Sequence, residues 1–164
     1  MSGVLYAATL ATALGCGLIA GVFFAFSTFV MPALRRLAPA HGTSAMQSIN
    51  KLAVTPAFMT ALFGTAAACL GMVAWAMISW GERPAELVLA GCALYIVGPI
   101  GVMIARNVPL NDILATLHPQ GADATGRWDE YVARWTAWNH VRTAASLAAA
   151  ALLTVALHVY SVLR

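Results

Sequence analysis

Four runs of apolar residues, each long enough to cross a lipid bilayer, constrain this chain more than any other feature. They cover about residues 4–34, 53–80, 85–105 and 143–163. A hydrocarbon core of roughly 30 Å needs about 20 apolar residues in helical form. No stretch of about ten residues alternates apolar with polar, which excludes a transmembrane β-barrel. Charge content points the same way: 9% of residues are charged and 61% hydrophobic, against roughly 25% and 45–50% in soluble domains. Too few charges are present to coat a water-facing surface, and disordered chains have the opposite composition. The sequence therefore predicts an all-α, four-transmembrane-helix bundle, an integral membrane protein with one domain over residues 1–164.

No Lys or Arg precedes Arg35, and the first run is much longer than the roughly 7–15-residue core of a signal peptide. It is expected to be a retained span. Arg35, Arg36 and Lys51 lie between the first two runs, and Arg106, Arg127, Arg134 and Arg142 between the last two. The remaining loop and the C-terminus hold Arg83 and Arg164. By the positive-inside rule this asymmetry puts both larger loops in the cytoplasm and both termini outside it, with a bacterial inner membrane as the expected location. The Arg35-Arg36 pair is the longest basic cluster, too little for a nucleic-acid surface. Cys16, Cys69 and Cys92 fall inside apolar runs without a CxxC pair, as small buried hydrophobes do.

Small residues recur every four positions at Ala13, Gly17, Gly21 and Ala25. Such a stripe lets a second helix approach closely, either within the chain or in a homo-oligomer, which is the expected state of so small a bundle. Pro99, flanked by Gly98 and Gly101, predicts a kink in the third span. That span ends in Arg106-Asn107-Val108-Pro109-Leu110-Asn111-Asp112, where Pro109 should bias Val108 away from helix and break the chain.

Polarity collects at the edges of the spans, on the side predicted to be cytoplasmic. An interfacial helix over about residues 127–142 should put Trp128, Tyr131, Trp135, Trp138, Asn139 and Arg142 along one stripe. Belt-forming aromatics account for Trp128 and Tyr131. They do not account for Asn139, His140 and Arg142, which run straight into an Ala-rich span and need polar partners there. The segment from Arg106 to Asp112 lies on the same side, as do Gln47 and Asn50, which share one helix face.

The motifs Gly17-Leu18-Ile19-Ala20-Gly21-Val22-Phe23-Phe24-Ala25-Phe26, Met46-Gln47-Ser48-Ile49-Asn50, Arg106-Asn107-Val108-Pro109-Leu110-Asn111 and Trp135-Thr136-Ala137-Trp138-Asn139-His140-Val141-Arg142-Thr143 resemble those of the anthrone oxygenase-like family of membrane proteins (DUF1772). The resemblance spans nearly the whole chain. It implies a four-span protein that uses dioxygen to oxidise a lipophilic polycyclic phenol, anthrone to quinone, with no flavin, haem or metal cofactor. Such chemistry needs a base, donors for an oxyanion and a dry slot for a flat ring system. His140 is the expected base, since an imidazole exchanges protons near neutral pH. Arg106, Arg142, Asn107, Asn111 and Asn139 are the expected donors. Trp135, Trp138 and Phe24, with its neighbours Phe23 and Phe26, are expected to stack on substrate, and Gln47 and Asn50 to line its site.

Other readings stay open. On a regular helix His140 points about 100° away from Asn139, so His140 is a structural residue unless the helix is distorted. His41, His118 and His140 lie on one side of the membrane, yet no two have helical ligand spacing, which disfavours a metal site. A non-catalytic binder of a lipid, quinone or other lipophilic molecule, or a transporter subunit, would need the same polar rim. No acidic residue occurs in the middle of a span, which disfavours a proton relay.

Overall fold

The structure, a computed structural model, describes residues 3–81, 83–121 and 123–162. Leu163 and Arg164, used above as the end of the last run and as a charge marker, lie outside the described residues. The bundle consists of α1 (Gly3–Arg35), α2 (Pro39–Leu52), α3 (Pro56–Ile78), α4 (Pro84–Thr116) and α5 (Ala124–Val162), with no strand among the described residues. All but α2 are long and apolar enough to cross a membrane.

Local chemistry sets the helix boundaries. Ala38 is extended (ψ 138°) and hands over to Pro39, which starts α2 because a proline's missing N–H costs nothing in a first turn. Thr55 caps α3, its Oγ1 accepting the Phe58 N–H at 3.3 Å, and Pro56 follows it. Gly81, with φ of 95°, makes the tight turn between α3 and α4.

Around the bundle, α1 packs on α5, α5 on α4, α4 on α3, and α3 on α1. The Tyr6 and Tyr160 rings meet with centroids 6.1 Å apart, so the starts of α1 and the end of α5 share one end of the bundle. At the other end α2 packs against the last turns of α1 and α4 and the first half of α5. Two buried clusters result. One, through the middle, includes Cys16, Ile19, Leu62, Cys69, Cys92, Tyr95 and Leu153. The other, at the α2 end, includes Met31, Met46, Leu114, Trp128, Tyr131 and Trp135. The three cysteines are free and fully buried. Outward-facing positions such as Leu14, Leu18, Phe24, Leu70, Val97, Ile104 and Leu147 are exposed, an apolar belt that water would not tolerate on this scale and lipid would.

Close approach of α4 and α5 depends on glycine. A Cβ at Gly91 would lie 3.2 Å from the Ala149 carbonyl oxygen, and one at Gly98 would overlap the Ala145 Cβ. The α1 stripe behaves differently: a Cβ at Gly17 or Gly21 would meet nothing within 4 Å, so those two glycines admit no neighbouring helix of this chain.

One expectation is corrected. The chain does not break at Pro109, because Val108 is helical (φ −62°, ψ −50°) and α4 runs on to Thr116. The prolines are instead absorbed by π-helical winding, over Ile96–Asn107 in α4 and Phe26–Val30 in α1. There N–H groups reach back five residues, Val108 to the Met103 oxygen and Met31 to the Phe26 oxygen. The wider turn takes up the carbonyl displaced by Pro99, Pro109 or Pro32 without ending the helix.

Candidate ligand cavity

A cavity of about 280 Å³ opens where the two buried clusters meet, close to the lower end of the roughly 300–1,000 Å³ typical of small-molecule sites. Phe23 and Phe26 from α1, Met46, Ile49 and Asn50 from α2, Phe58, Met59, Leu62 and Phe63 from α3, Met103, Asn107 and Asn111 from α4, and Trp135 and Arg142 from α5 form its walls. Most of that surface is aromatic or aliphatic. Its polar groups are one guanidinium and three carboxamides.

The regular period of α5 brings Trp135 and Arg142, seven residues apart, to the same face. Arg142 is 5% exposed. Its guanidinium carbon lies 3.7 Å from the centre of the Phe23 ring, and Nη1 donates to the Asn139 Oδ1 at 3.3 Å. Its Nε–H has no partner. Two ion pairs occur among the described residues, Arg35 with Asp129 and Arg134 with Glu130, so Arg142 is a buried cation with no anion. Asn139 fixes it from behind by donating to the Phe23 carbonyl at 2.7 Å and the Ser27 hydroxyl at 2.8 Å, at the entrance to the π turn of α1.

The α4 carboxamides are held with equal definition. Asn107, 1% exposed, donates from Nδ2 to the Trp135 carbonyl at 3.2 Å, while its Oδ1 has no partner. Asn111 accepts on Oδ1 from the Tyr131 hydroxyl and the Trp135 indole N–H, each at 2.9 Å. An indole N–H can only donate, which fixes the Asn111 amide orientation and leaves its NH₂ as a free donor at the cavity wall. A hollow of about 260 Å³, walled also by Gln47, Lys51 and Asp112, shares Asn50, Val108 and Asn111 with the cavity and forms its polar mouth.

Of the residues singled out from sequence, Arg142, Asn107, Asn111, Asn50, Trp135, Phe23 and Phe26 line the cavity and Asn139 supports it. The others lie elsewhere. His140 is exposed and lines an outer groove with Arg35 and Arg36, because α5 stays regular and a residue next to buried Asn139 must turn away. His140 therefore faces away from the cavity that Asn107 lines. Arg106 is exposed, its guanidinium 4.9 Å from the centre of the half-buried Trp138 ring. Phe24 is 53% exposed on the lipid side, whereas Phe23 and Phe26 face inward. Gln47 ties α2 to the end of α4, donating to the Leu114 carbonyl at 2.8 Å, which also accepts the Leu117 N–H, and to the Leu117 carbonyl at 3.0 Å.

Sequence reasoning missed the α3 wall of Phe58, Met59 and Leu62. Their spacing of three and four positions is a helix face, but nothing in an apolar run says which face meets a cavity. Among the described residues no His, Asp or Glu lines the cavity. Among the described residues no group of three or more His, Cys, Asp or Glu side chains is arranged to hold a metal ion.

The sequence model of anthrone oxygenases matches residues 46–152, from within α2 to within α5. The chain belongs to the anthrone oxygenase family. That match takes in every α2, α3, α4 and α5 residue of the cavity and stops short of the α1 wall. Neither the curated proteins nor the solved structures compared with this anthrone oxygenase family member give a match.

Proposed function

We propose that this chain oxidises a lipophilic polycyclic phenol of the anthrone type to the quinone with dioxygen, through a substrate carbanion and without a resident cofactor. One observation carries the reading: Arg142 is a buried guanidinium with a free N–H and no anion, in an aromatic-walled cavity. Such a cation costs several kcal/mol of desolvation, and an oxyanion bound beside it recovers that cost.

An anthrone is acidic at the methylene opposite its carbonyl, because loss of that proton delocalises charge onto the oxygen. Arg142 Nε–H and the Asn111 NH₂ are the donors for this oxygen, and the free Asn107 Oδ1 takes a phenolic O–H. Among the described residues no carboxylate or imidazole lines the cavity, so the proton leaves through the polar mouth toward Asp112. The electron-rich carbon then bonds to dioxygen and, with a proton, gives a hydroperoxide. Loss of the remaining C–H proton as the O–O bond breaks forms the second carbonyl and releases water. One dioxygen is reduced per quinone formed.

The substrate partitions into lipid and enters sideways past Val54, Phe63 and Val108, which line the cavity and are exposed on the bundle surface. In this reading the protein sits in a bacterial inner membrane as a homo-oligomer, its termini outside and the mouth toward the cytoplasm. A C-terminal reporter active only in the cytoplasm should then stay silent. The decisive experiment is oxygen uptake by purified protein given an anthrone, with quinone measured alongside. Uptake matched by quinone supports the proposal, and uptake no faster than autoxidation in empty detergent refutes it.

A further inference from the structure

On the outside of the bundle, at the α2 end, a groove of about 470 Å³ runs between the last turns of α1 and the first half of α5. Its floor is apolar, from Pro32, Val132, Ala133 and Ala137, and its rim carries Arg35, Arg36 and His140. Among the described residues the Arg36 and His140 side chains have no hydrogen-bond or ion-pair partner. Arg35 has a loose one, its Nε 3.9 Å from the Asp129 carboxylate, with both side chains more than half exposed, a pairing that contributes little. Thr136, at the middle of the groove, has a buried hydroxyl with no partner. One turn toward the bundle centre, Phe29 and Val141 are exposed and apolar.

From this juxtaposition we propose that the groove is a binding site for an anionic phospholipid, its phosphate held by Arg35, Arg36 and His140 and an acyl chain laid along the α1–α5 seam. Basic side chains grouped between helices at the cytoplasmic boundary attract acidic headgroups, and guanidinium groups match phosphate oxygens in pairs. The apolar floor, with exposed Phe29 and Val141 one helical turn from Pro32 and Ala137, selects a lipid over a soluble anion. The site is independent of the chemistry in the cavity, and it gives His140 a role outside that cavity.

Native mass spectrometry of the detergent-purified protein tests this, with phosphatidylglycerol and phosphatidylcholine of identical acyl chains as probes. The wild type should retain phosphatidylglycerol preferentially. Each basic side chain near an anionic membrane surface contributes on the order of fivefold, so R35Q/R36Q should lower that preference by about twentyfold to thirtyfold, and Arg36→Gln alone by about fivefold. Arg134→Gln, at an exposed position paired with Glu130, should leave it unchanged. Equal retention of both lipids by the wild type overturns the proposal, as does full preference in R35Q/R36Q. Competition by inorganic phosphate as effective as phosphatidylglycerol overturns it too, in favour of a soluble anion.

Discussion

Replacing Arg142 with methionine keeps an unbranched apolar stem and removes the guanidinium with its charge. The native guanidinium makes one hydrogen bond to Asn139 and one contact over the Phe23 ring. A hydrogen bond from a charged group contributes about 1.5–3 kcal/mol, and a desolvated cation–π contact about 2 kcal/mol. Against these stands the desolvation of a buried charge without an anion, several kcal/mol by itself. The two sums are of the same size, so Arg142→Met should unfold within roughly 1 kcal/mol of wild type, in either direction. Turnover should behave otherwise. A lost oxyanion donor costs about 2.7–4 kcal/mol, a hundredfold to thousandfold in rate. The assay pairs thermal unfolding in detergent with quinone formation from an anthrone. A variant with wild-type turnover removes Arg142 from the chemistry. One destabilised by more than about 4 kcal/mol, yet active while folded, makes the guanidinium a structural strut.

Asp112→Asn should slow quinone formation by about a hundredfold, the lower range for a proton acceptor, while His140→Gln should leave it within about threefold of wild type. The reverse pattern would return His140 to the reaction. Gly98→Val drives a side chain into Ala145 on α5 and should cost about 1–3 kcal/mol of stability, read as a lower unfolding midpoint; an unshifted midpoint would mean that α4 and α5 separate freely. Gly21→Leu meets open space within one chain, so it should leave folding intact and lower the oligomer mass by light scattering. An unchanged oligomer would move the subunit interface off the Ala13–Ala25 stripe.

Membrane crossing, the number of spans and the end at which polarity gathers follow from the sequence alone, because a span is a local property: about 20 apolar residues declare it whatever they touch. The inward stripe of α5 is equally local, since Trp128, Tyr131, Trp135, Asn139 and Arg142 repeat at helical spacing and all are buried. The motif residues Asn107, Asn111 and Arg142 were legible as chemistry for the same reason, being polar where polarity is costly. What the tertiary structure decided is which of them share a space. Asn139 and His140 are neighbours in sequence, yet one anchors α1 and the other lines the outer groove. Phe23 lies under Arg142 while Phe24 meets lipid. Pro109 in α4 signalled a break to local rules, whereas π winding before it carried the helix through. Burial inside a membrane bundle depends on which helix face meets a neighbour, and most faces of the four spans are apolar enough for lipid, so hydrophobicity alone cannot choose between them.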